Sequence, residues 1–260
     1  MHYDFSLPSV SPRFIPVWRR NFLVWKKLAG ASILGNIADP MIALVAFGCG
    51  LGSLLPQVEG VPYIQFLAAG TVCMSTMNAA TFEALYSAFS RMHVQRTWDG
   101  IMNAPVNLED VLLGELTWAA TKSFMSGLAI MLVVWALGLA VDARSILILP
   151  VVVLIGLAFA GIGLAINALA RGYDFFTYYF TLVVTPMSFL SGVFFPGTQM
   201  PEWLQQVARL LPLTHAVELV RPLLLGHWPS AAGVNVAVLV VYAAYSTYGA
   251  MVLTRRRLLH

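Results

Sequence analysis

Long runs of apolar residues, separated by shorter polar segments, are the dominant pattern along this chain. The runs cover residues 32–55, 63–89, 111–139, 146–170, 175–195 and 231–253. A helix needs about 20 apolar residues to cross the hydrocarbon core of a bilayer, and each run reaches that length. Backbone groups inside lipid must hydrogen-bond to one another, which favours helices. The pattern therefore predicts an all-α integral membrane protein with six transmembrane helices.

Residues 13–30, ahead of the first long run, show a different pattern. Aromatic side chains recur there at helical spacing, and basic side chains lie largely off that stripe. The aromatic residues are Phe14, Trp18, Phe22 and Trp25, and the basic residues are Arg19, Arg20, Lys26 and Lys27. This arrangement predicts an amphipathic interfacial helix, with its aromatic face in lipid and its basic face towards anionic headgroups.

Residues 196–230, between the fifth and sixth runs, are amphipathic and rich in proline. Pro201 and Glu202 suit the start of a short helix, and Pro212 suits its end. A second short helix is predicted from Thr214 to about residue 225. Neither is long enough to cross a membrane, so we expect two short outer re-entrant or interfacial helices, with an ordinary outer loop as the alternative.

Composition supports the membrane assignment. Hydrophobic residues make up 59% of the chain, charged residues 10%, and the mean hydropathy is +0.77. A soluble domain carries about 25% charged residues, so lipid must be the solvent for much of this surface. The basic residues do not form a platform with aromatic residues, so no nucleic-acid partner is expected.

The distribution of Lys and Arg predicts the orientation. Eleven of the fifteen basic residues lie on one predicted side of the membrane, three on the other, and Lys122 lies within a span. Positive charge accumulates on the cytoplasmic side, so both termini are predicted to be cytoplasmic.

Motifs for catalysis or metal binding are absent from the sequence. It has no Gly-x-x-x-x-Gly-Lys-Ser/Thr phosphate-binding loop, no nucleophile–base motif and no metal-ligand spacing. We therefore expect no catalytic residue, no metal site and no cofactor on this chain. Two other classes of protein are alternatives. A membrane-embedded acyltransferase would need an intramembrane His or Asp/Glu motif, and none is evident in the sequence. A proton-coupled carrier would transport its substrate without ATP.

Four charged residues fall inside the predicted spans: Asp39, Glu83, Glu115 and Lys122. Near the middle of a bilayer each would cost about 2.5–3.5 kcal/mol unless it faced protein or water. Glu115 and Lys122 are seven residues apart, so both can face one groove, where Glu83 would meet Lys122 or Arg91. We interpret them as structural ion pairs, with gating or substrate contact as the alternative. The Asp39-Pro40 pair also predicts a kink or a helix start.

Four stretches of the sequence resemble the permease subunits of ABC type-2 exporters, in particular the nodulation-factor (lipo-oligosaccharide) and daunorubicin exporters. They are Asp39-Pro40 with the glycine-rich residues 48–52, residues 96–106 with Gly114-Glu115, residues 190–196 with 201–204, and residues 211–221. The resemblance covers nearly the whole chain and implies a single transmembrane domain over residues 1–260.

The resemblance implies a half-transporter in the bacterial inner membrane. Two copies would pair as a homodimer and sit on two separate ATPase subunits, which would hold the ATP and Mg²⁺. The cargo would be a lipid-linked or amphiphilic saccharide, with drug or lipid efflux as the alternative.

The resemblance also implies roles for particular segments. Residues 89–110 would couple the chain to the ATPase, with Arg91, Arg96, Trp98 and Asp99 as the contact residues. Residues 196–230 would form the outer re-entrant helices, in which we single out Trp203, His215, Glu218 and Arg221. Trp203 would anchor the first of them at the membrane boundary.

Overall fold

The computed structural model describes the backbone of residues 11–259, and their side chains except those of residues 31, 33, 36, 37, 39 and 259. The α-helices are α1 (Phe14–Lys26), α2 (Ala29–Leu54), α3 (Tyr63–Phe82), α4 (Thr97–Met102), α5 (Leu108–Ala136), α6 (Ile148–Leu169), α7 (Tyr173–Tyr179), α8 (Thr185–Leu190), α9 (Glu202–Ala208), α10 (Pro212–Leu224) and α11 (Ala232–Leu259). Strands β1 (Gln57–Val58) and β2 (Val61–Pro62) form a small antiparallel hairpin between α2 and α3.

Several helices are extended by turns of other types. Two π-helical segments, Glu83–Ser87 and Ser90–Val94, continue α3, and a third, Phe180–Val184, joins α7 to α8. Short 3₁₀ segments, Ala143–Leu147 and Gly197–Gln199, precede α6 and α9.

Three helical stretches in the described part of the chain are long and apolar enough to cross a membrane. They are Leu108–Ala136, Ala143–Leu169 and Ala232–Leu258, and Pro40–Leu54 forms a shorter apolar stretch within α2. The three long stretches overlap the third, fourth and sixth apolar runs of the sequence. The prediction of an all-α membrane protein is confirmed at this level.

Helix α6 lies at the centre of the bundle, where it packs along α11 and against α3 and α5. Glycines line these contacts: Gly161 faces Ser246 and Thr247 of α11, and Gly156 faces Ser123 of α5. A side chain at either glycine would overlap the facing helix. Small residues therefore allow the close helix packing that is typical of membrane bundles.

Two proline positions differ from the sequence-based expectation. Of the kink or helix start predicted at Pro40, the helix start is wrong, because α2 begins at Ala29 and continues through Pro40, and the kink stays a prediction. Pro212 does not end the first short helix, which stops at Ala208, and is instead the first residue of α10. Proline suits the first position of a helix, because the N–H that it lacks would have no intrahelical partner there.

Candidate functional site

Charged residues from α5 and from the π-helical continuation of α3 meet in one buried group, which we call the ion-pair cluster: Glu83, Arg91, Glu115 and Lys122. Glu83 accepts hydrogen bonds from Arg91 Nη2 at 2.8 Å and Lys122 Nζ at 2.7 Å. Arg91 donates to Glu115 through Nε at 2.9 Å and Nη2 at 2.5 Å. The Glu83 and Glu115 side chains are only 3% and 1% exposed. The sequence-based expectation that Glu83 meets Lys122 or Arg91 is confirmed for both.

Two tryptophans complete the hydrogen bonding of the cluster. Trp118 Nε1 donates to Glu83 at 2.9 Å, and Trp98 Nε1 donates to Glu115 at 3.2 Å. Every carboxylate oxygen of the cluster therefore accepts at least one hydrogen bond. A buried ion pair is tolerated only under such conditions, because desolvation of the charges opposes their attraction.

Local backbone geometry brings the cluster together. Glu83 and Arg91 are eight residues apart, which in a regular α-helix would separate them by about 80° around the axis and about 12 Å along it. The π-helical segments contain both residues and widen the turns, so the two side chains meet. On α5, Glu115, Trp118 and Lys122 follow α-helical spacing and share one face.

Helix α1 packs against the same region of α5. Phe22 and Trp25 contact the Trp118 ring at centroid distances of 6.3 and 6.0 Å, and Trp18 Nε1 donates to Thr121 at 3.0 Å. The prediction that this aromatic stripe faces lipid is therefore wrong. A different set of apolar side chains on α1 is exposed, namely Ile15, Leu23 and Val24.

Arg20 of α1 lies near the cluster. Its Nη2 is 3.4 Å from the hydroxyl oxygen of Thr97, at the start of α4. Burial, reinforced by the positive charge of Arg91, holds the pKa of Arg20 below its usual value. The residue thus adds a third positive charge beside two carboxylates.

The four residues predicted to contact an ATPase divide into two groups. Arg91 and Trp98 lie inside the cluster, and Trp98 is only 2% exposed. Arg96 and Asp99 are exposed, and Arg96 adopts a left-handed backbone with φ of 48° at the turn into α4. Trp98 therefore cannot act as an exposed docking residue, because its indole is directed inwards to Glu115.

Two cavities adjoin the cluster. The first, which we call the charged cavity, has a volume of about 380 Å³, and its lining includes Arg20, Trp25, Glu83, Arg91, Trp118 and Lys122. The second, the central cavity, has a volume of about 410 Å³, and its lining includes Met74, Ser75, Asn78, Phe82, Lys122, Ser126 and Ser188. Lys122 lines both cavities, so its ion pair with Glu83 lies between them.

The residues singled out on the other side of the molecule do not join the cluster. Arg221 packs on Phe66, which is seventeen residues before Glu83 on the helix that begins with α3, or about 25 Å along its axis. His215 contacts Asn235 and the carbonyl of Arg209. Trp203 and Glu218 are exposed. The side chain of Asp39 lies outside the described residues.

Comparison with known proteins identifies the chain's relatives. A model of the family described as ABC-2 type transporter matches residues 13–225. The chain belongs to the ABC-2 type transporter family.

Three relatives illustrate this similarity. The chain is 46% identical to Nodulation protein J of Rhizobium meliloti (strain 1021), over 99% of this chain and 98% of the relative. It is 47% identical to Nodulation protein J of Bradyrhizobium diazoefficiens, over the same shares of both chains. It is 22% identical to the inner membrane transport permease YadH of Escherichia coli (strain K12), over 77% of this chain and 78% of the relative.

The part of the chain that matches the ABC-2 type transporter family contains the whole ion-pair cluster and both cavities. Sequence reasoning found all four cluster residues but missed Trp118 and Arg20. Trp118 could have been predicted from the sequence, because it lies three residues after Glu115 and four before Lys122 and so shares their face of α5. The position of Arg20 could not have been predicted, since only the packing of α1 on α5 brings it near the ion-pair cluster.

Proposed function

We propose that this chain is the permease subunit of an ATP-driven exporter that moves a lipid-linked or amphiphilic saccharide out of the cytoplasm. The observation that carries the proposal is the similarity to Nodulation protein J, which extends over 99% of this chain at 46% identity. Membership of the ABC-2 type transporter family supports a transport role driven by a separate ATPase.

The proposed assembly contains two copies of the chain and two ATPase subunits, and the ATPase subunits bind ATP and Mg²⁺. Each copy has six spans, at residues 32–55, 63–89, 111–139, 146–170, 175–195 and 231–253, with both termini cytoplasmic. Helices α9 and α10 form the outer re-entrant pair. The charge distribution supports this orientation, because eleven of the fifteen Lys and Arg lie on the side that these spans place in the cytoplasm.

The cluster offers a route by which movement of the ATPase could reach the cargo path. In this proposal the ATPase contacts the exposed surface of α4 at Arg96 and Asp99. A shift of α4 would move Trp98, which is bonded to Glu115 and, through Arg91, to Glu83. Glu83 holds Lys122, whose side chain lines the central cavity. A displacement of α4 would therefore move the Lys122 side chain, which lines both cavities.

The lining of the central cavity supports an amphiphilic cargo. Met74 and Phe82 supply apolar surface, while Ser75, Asn78 and Ser126 supply hydroxyl and amide groups. Binding sites of this type combine an apolar lining with a few polar groups that fix orientation. A cavity of about 410 Å³ suits one part of a large amphiphile, and the second copy of the chain would supply the opposite wall.

We expect the purified chain to show no ATP hydrolysis of its own, because its sequence has no phosphate-binding loop. Co-expressed with its ATPase, it should purify as a complex of two permeases and two ATPases, measured by native mass spectrometry and a phosphate-release assay. The matched control is the same complex with the catalytic Glu of the ATPase changed to Gln. ATP hydrolysis that persists in the pure single chain would contradict the proposal.

A further inference from the structure

A small cavity lies at the opposite end of α3 from the ion-pair cluster, enclosed by the end of α8, α9 and α10. Its volume is about 250 Å³, and its lining includes Ser191, Gly192, Gln205, Arg209, Glu218 and Arg221. We call it the Arg221 cavity. Neither the cluster nor the two cavities beside it involve these residues.

Arg221 is held in this cavity without a carboxylate partner. Its Nη2 donates to the carbonyl oxygen of Gly192 at 2.5 Å, and its guanidinium lies 3.5 Å from the centroid of the Phe66 ring. Among the described residues no carboxylate oxygen lies within 4.0 Å of it. Burial lowers the pKa of Arg221 to about 10, so the side chain still carries its positive charge at neutral pH.

Two polar atoms in the lining residues of the Arg221 cavity are buried and have no hydrogen-bond partner in the described structure, Arg221 Nε and Ser191 Oγ. The Ser191 residue is only 2% exposed. Native proteins rarely leave buried polar groups unpaired, because the desolvation penalty is about 1–3 kcal/mol for each and more for a charged group. The Phe66 and Gly192 contacts therefore account for only part of what this arginine requires.

The charges around the cavity favour a negative ligand. Arg209 lines it and is exposed, while Glu218 is the one carboxylate among the lining residues in the described structure. The two arginines outnumber this one acidic lining residue, and Glu59, which is outside the lining, also attracts Arg221 but forms no ion pair with it. Guanidinium groups bind carboxylate, sulfate and phosphate oxygens in a bidentate geometry that a hydroxyl group beside them can complete.

We propose that the Arg221 cavity is an anion-binding site that takes a single carboxylate, sulfate or phosphate group, held by Arg221 with help from Ser191. The group can come from a dissolved anion or from the headgroup of an acidic lipid. Glu218 limits the site to one small group, because a larger anionic surface would meet its carboxylate. Binding at this site does not depend on the transport activity proposed above.

The test uses the full chain in nanodiscs and measures ligand binding without an ATPase. One arm titrates inorganic phosphate into phosphatidylcholine nanodiscs at constant ionic strength and records the thermal unfolding temperature. The other arm exchanges phosphatidylglycerol into the nanodiscs and counts the retained lipid by native mass spectrometry. Stabilisation by phosphate identifies a dissolved anion, and selective retention of phosphatidylglycerol identifies a lipid headgroup.

Variants assign the binding to the cavity. Arg221→Gln should weaken the binding of the ligand that the wild-type chain takes by about tenfold or more, since a hydrogen bond to a charged group contributes about 1.5–3 kcal/mol. Arg221→Lys should fall between wild type and Arg221→Gln, and Ser191→Ala should weaken binding without altering the charge. The matched control is Arg144→Gln, which removes an arginine that also donates to a glycine carbonyl and lies over an aromatic ring.

The outcomes separate clearly. Binding that falls in both the Arg221 and Ser191 variants but not in Arg144→Gln supports the site. If Arg221→Gln does not fold, Arg221→Lys and Ser191→Ala still decide the question. Absence of any effect of phosphate and phosphatidylglycerol on the wild-type chain, or equal effects on wild type, Arg221→Lys and Ser191→Ala, would overturn the proposal.

Discussion

Replacement of Glu83 by alanine should lower the stability of the chain by about 3–5 kcal/mol, the loss expected when one partner of a buried ion pair is removed. Glu83 accepts hydrogen bonds from Arg91, Lys122 and Trp118, and its side chain is only 3% exposed. The substitution would leave Lys122 without its carboxylate inside the bundle. Thermal unfolding in detergent, followed by size-exclusion chromatography of a fluorescent fusion, measures the loss.

Two further variants separate charge from packing. The exposed Glu202 is the matched control, and we expect Glu202→Gln to leave stability within about 0.5 kcal/mol of wild type. Removal of both partners, in Glu83→Gln with Lys122→Met, should destabilise less than the sum of the single changes, because no unpaired charge remains on Lys122. A Glu83→Ala chain as stable as wild type, or strictly additive effects in the double variant, would mean that the cluster does not stabilise the bundle.

Substitution of Arg96 and Asp99 should remove the ATPase from the permease while leaving the permease folded. Both side chains are exposed on the surface of α4 and its preceding turn. Loss of a dominant interface residue commonly costs 2 kcal/mol or more, which corresponds to about 30-fold weaker binding. Arg96→Asn combined with Asp99→Lys should therefore abolish co-purification of the ATPase, measured by affinity capture, and with it transport.

The backbone at Arg96 determines which substitutions suit this experiment. Its φ of 48° is unfavourable for most side chains, but Asn and Gly adopt it readily. Arg96→Gly and Arg96→Asn therefore keep the turn and remove only the guanidinium. Trp98→Ala is a contrasting variant. The Trp98 indole is buried, so its removal should lower stability by about 3–5 kcal/mol, and we expect this variant to affect folding rather than the ATPase contact. Full ATPase recovery with the Arg96 and Asp99 variants would place the contact elsewhere, most directly on α1.

The sequence allowed much of the helical framework to be predicted, because the bilayer imposes a length and a composition on any helix that crosses it. The three described stretches that are long and apolar enough to cross a membrane overlap predicted runs. Glu115 and Lys122 were placed on one face by their spacing alone, and the structure joins them through Arg91 and Glu83. Run length and residue spacing are local features, so both can be predicted from the sequence without knowledge of tertiary packing.

The features that could not be predicted from the sequence depend on tertiary packing. The π-helical turns that align Glu83 with Arg91 leave no mark in the hydrophobic pattern. An aromatic stripe is equally suited to lipid and to another helix, so the packing of α1 on Trp118 could not be read from spacing. Trp98 looked like a docking residue because tryptophan is common at interfaces, and only its bond to Glu115 shows that it is buried.

Transport in proteoliposomes is the measurement that decides whether this chain is the permease of an ATP-driven saccharide exporter. The chain and its ATPase are reconstituted together, and uptake into inside-out vesicles is measured for a labelled lipo-oligosaccharide and, in parallel, for a hydrophobic drug such as daunorubicin. We expect ATP-dependent accumulation of the lipo-oligosaccharide that is lost with the chain alone and with the Arg96→Asn/Asp99→Lys variant. Accumulation of the drug but not of the saccharide, or saccharide uptake that survives without ATP, would contradict it.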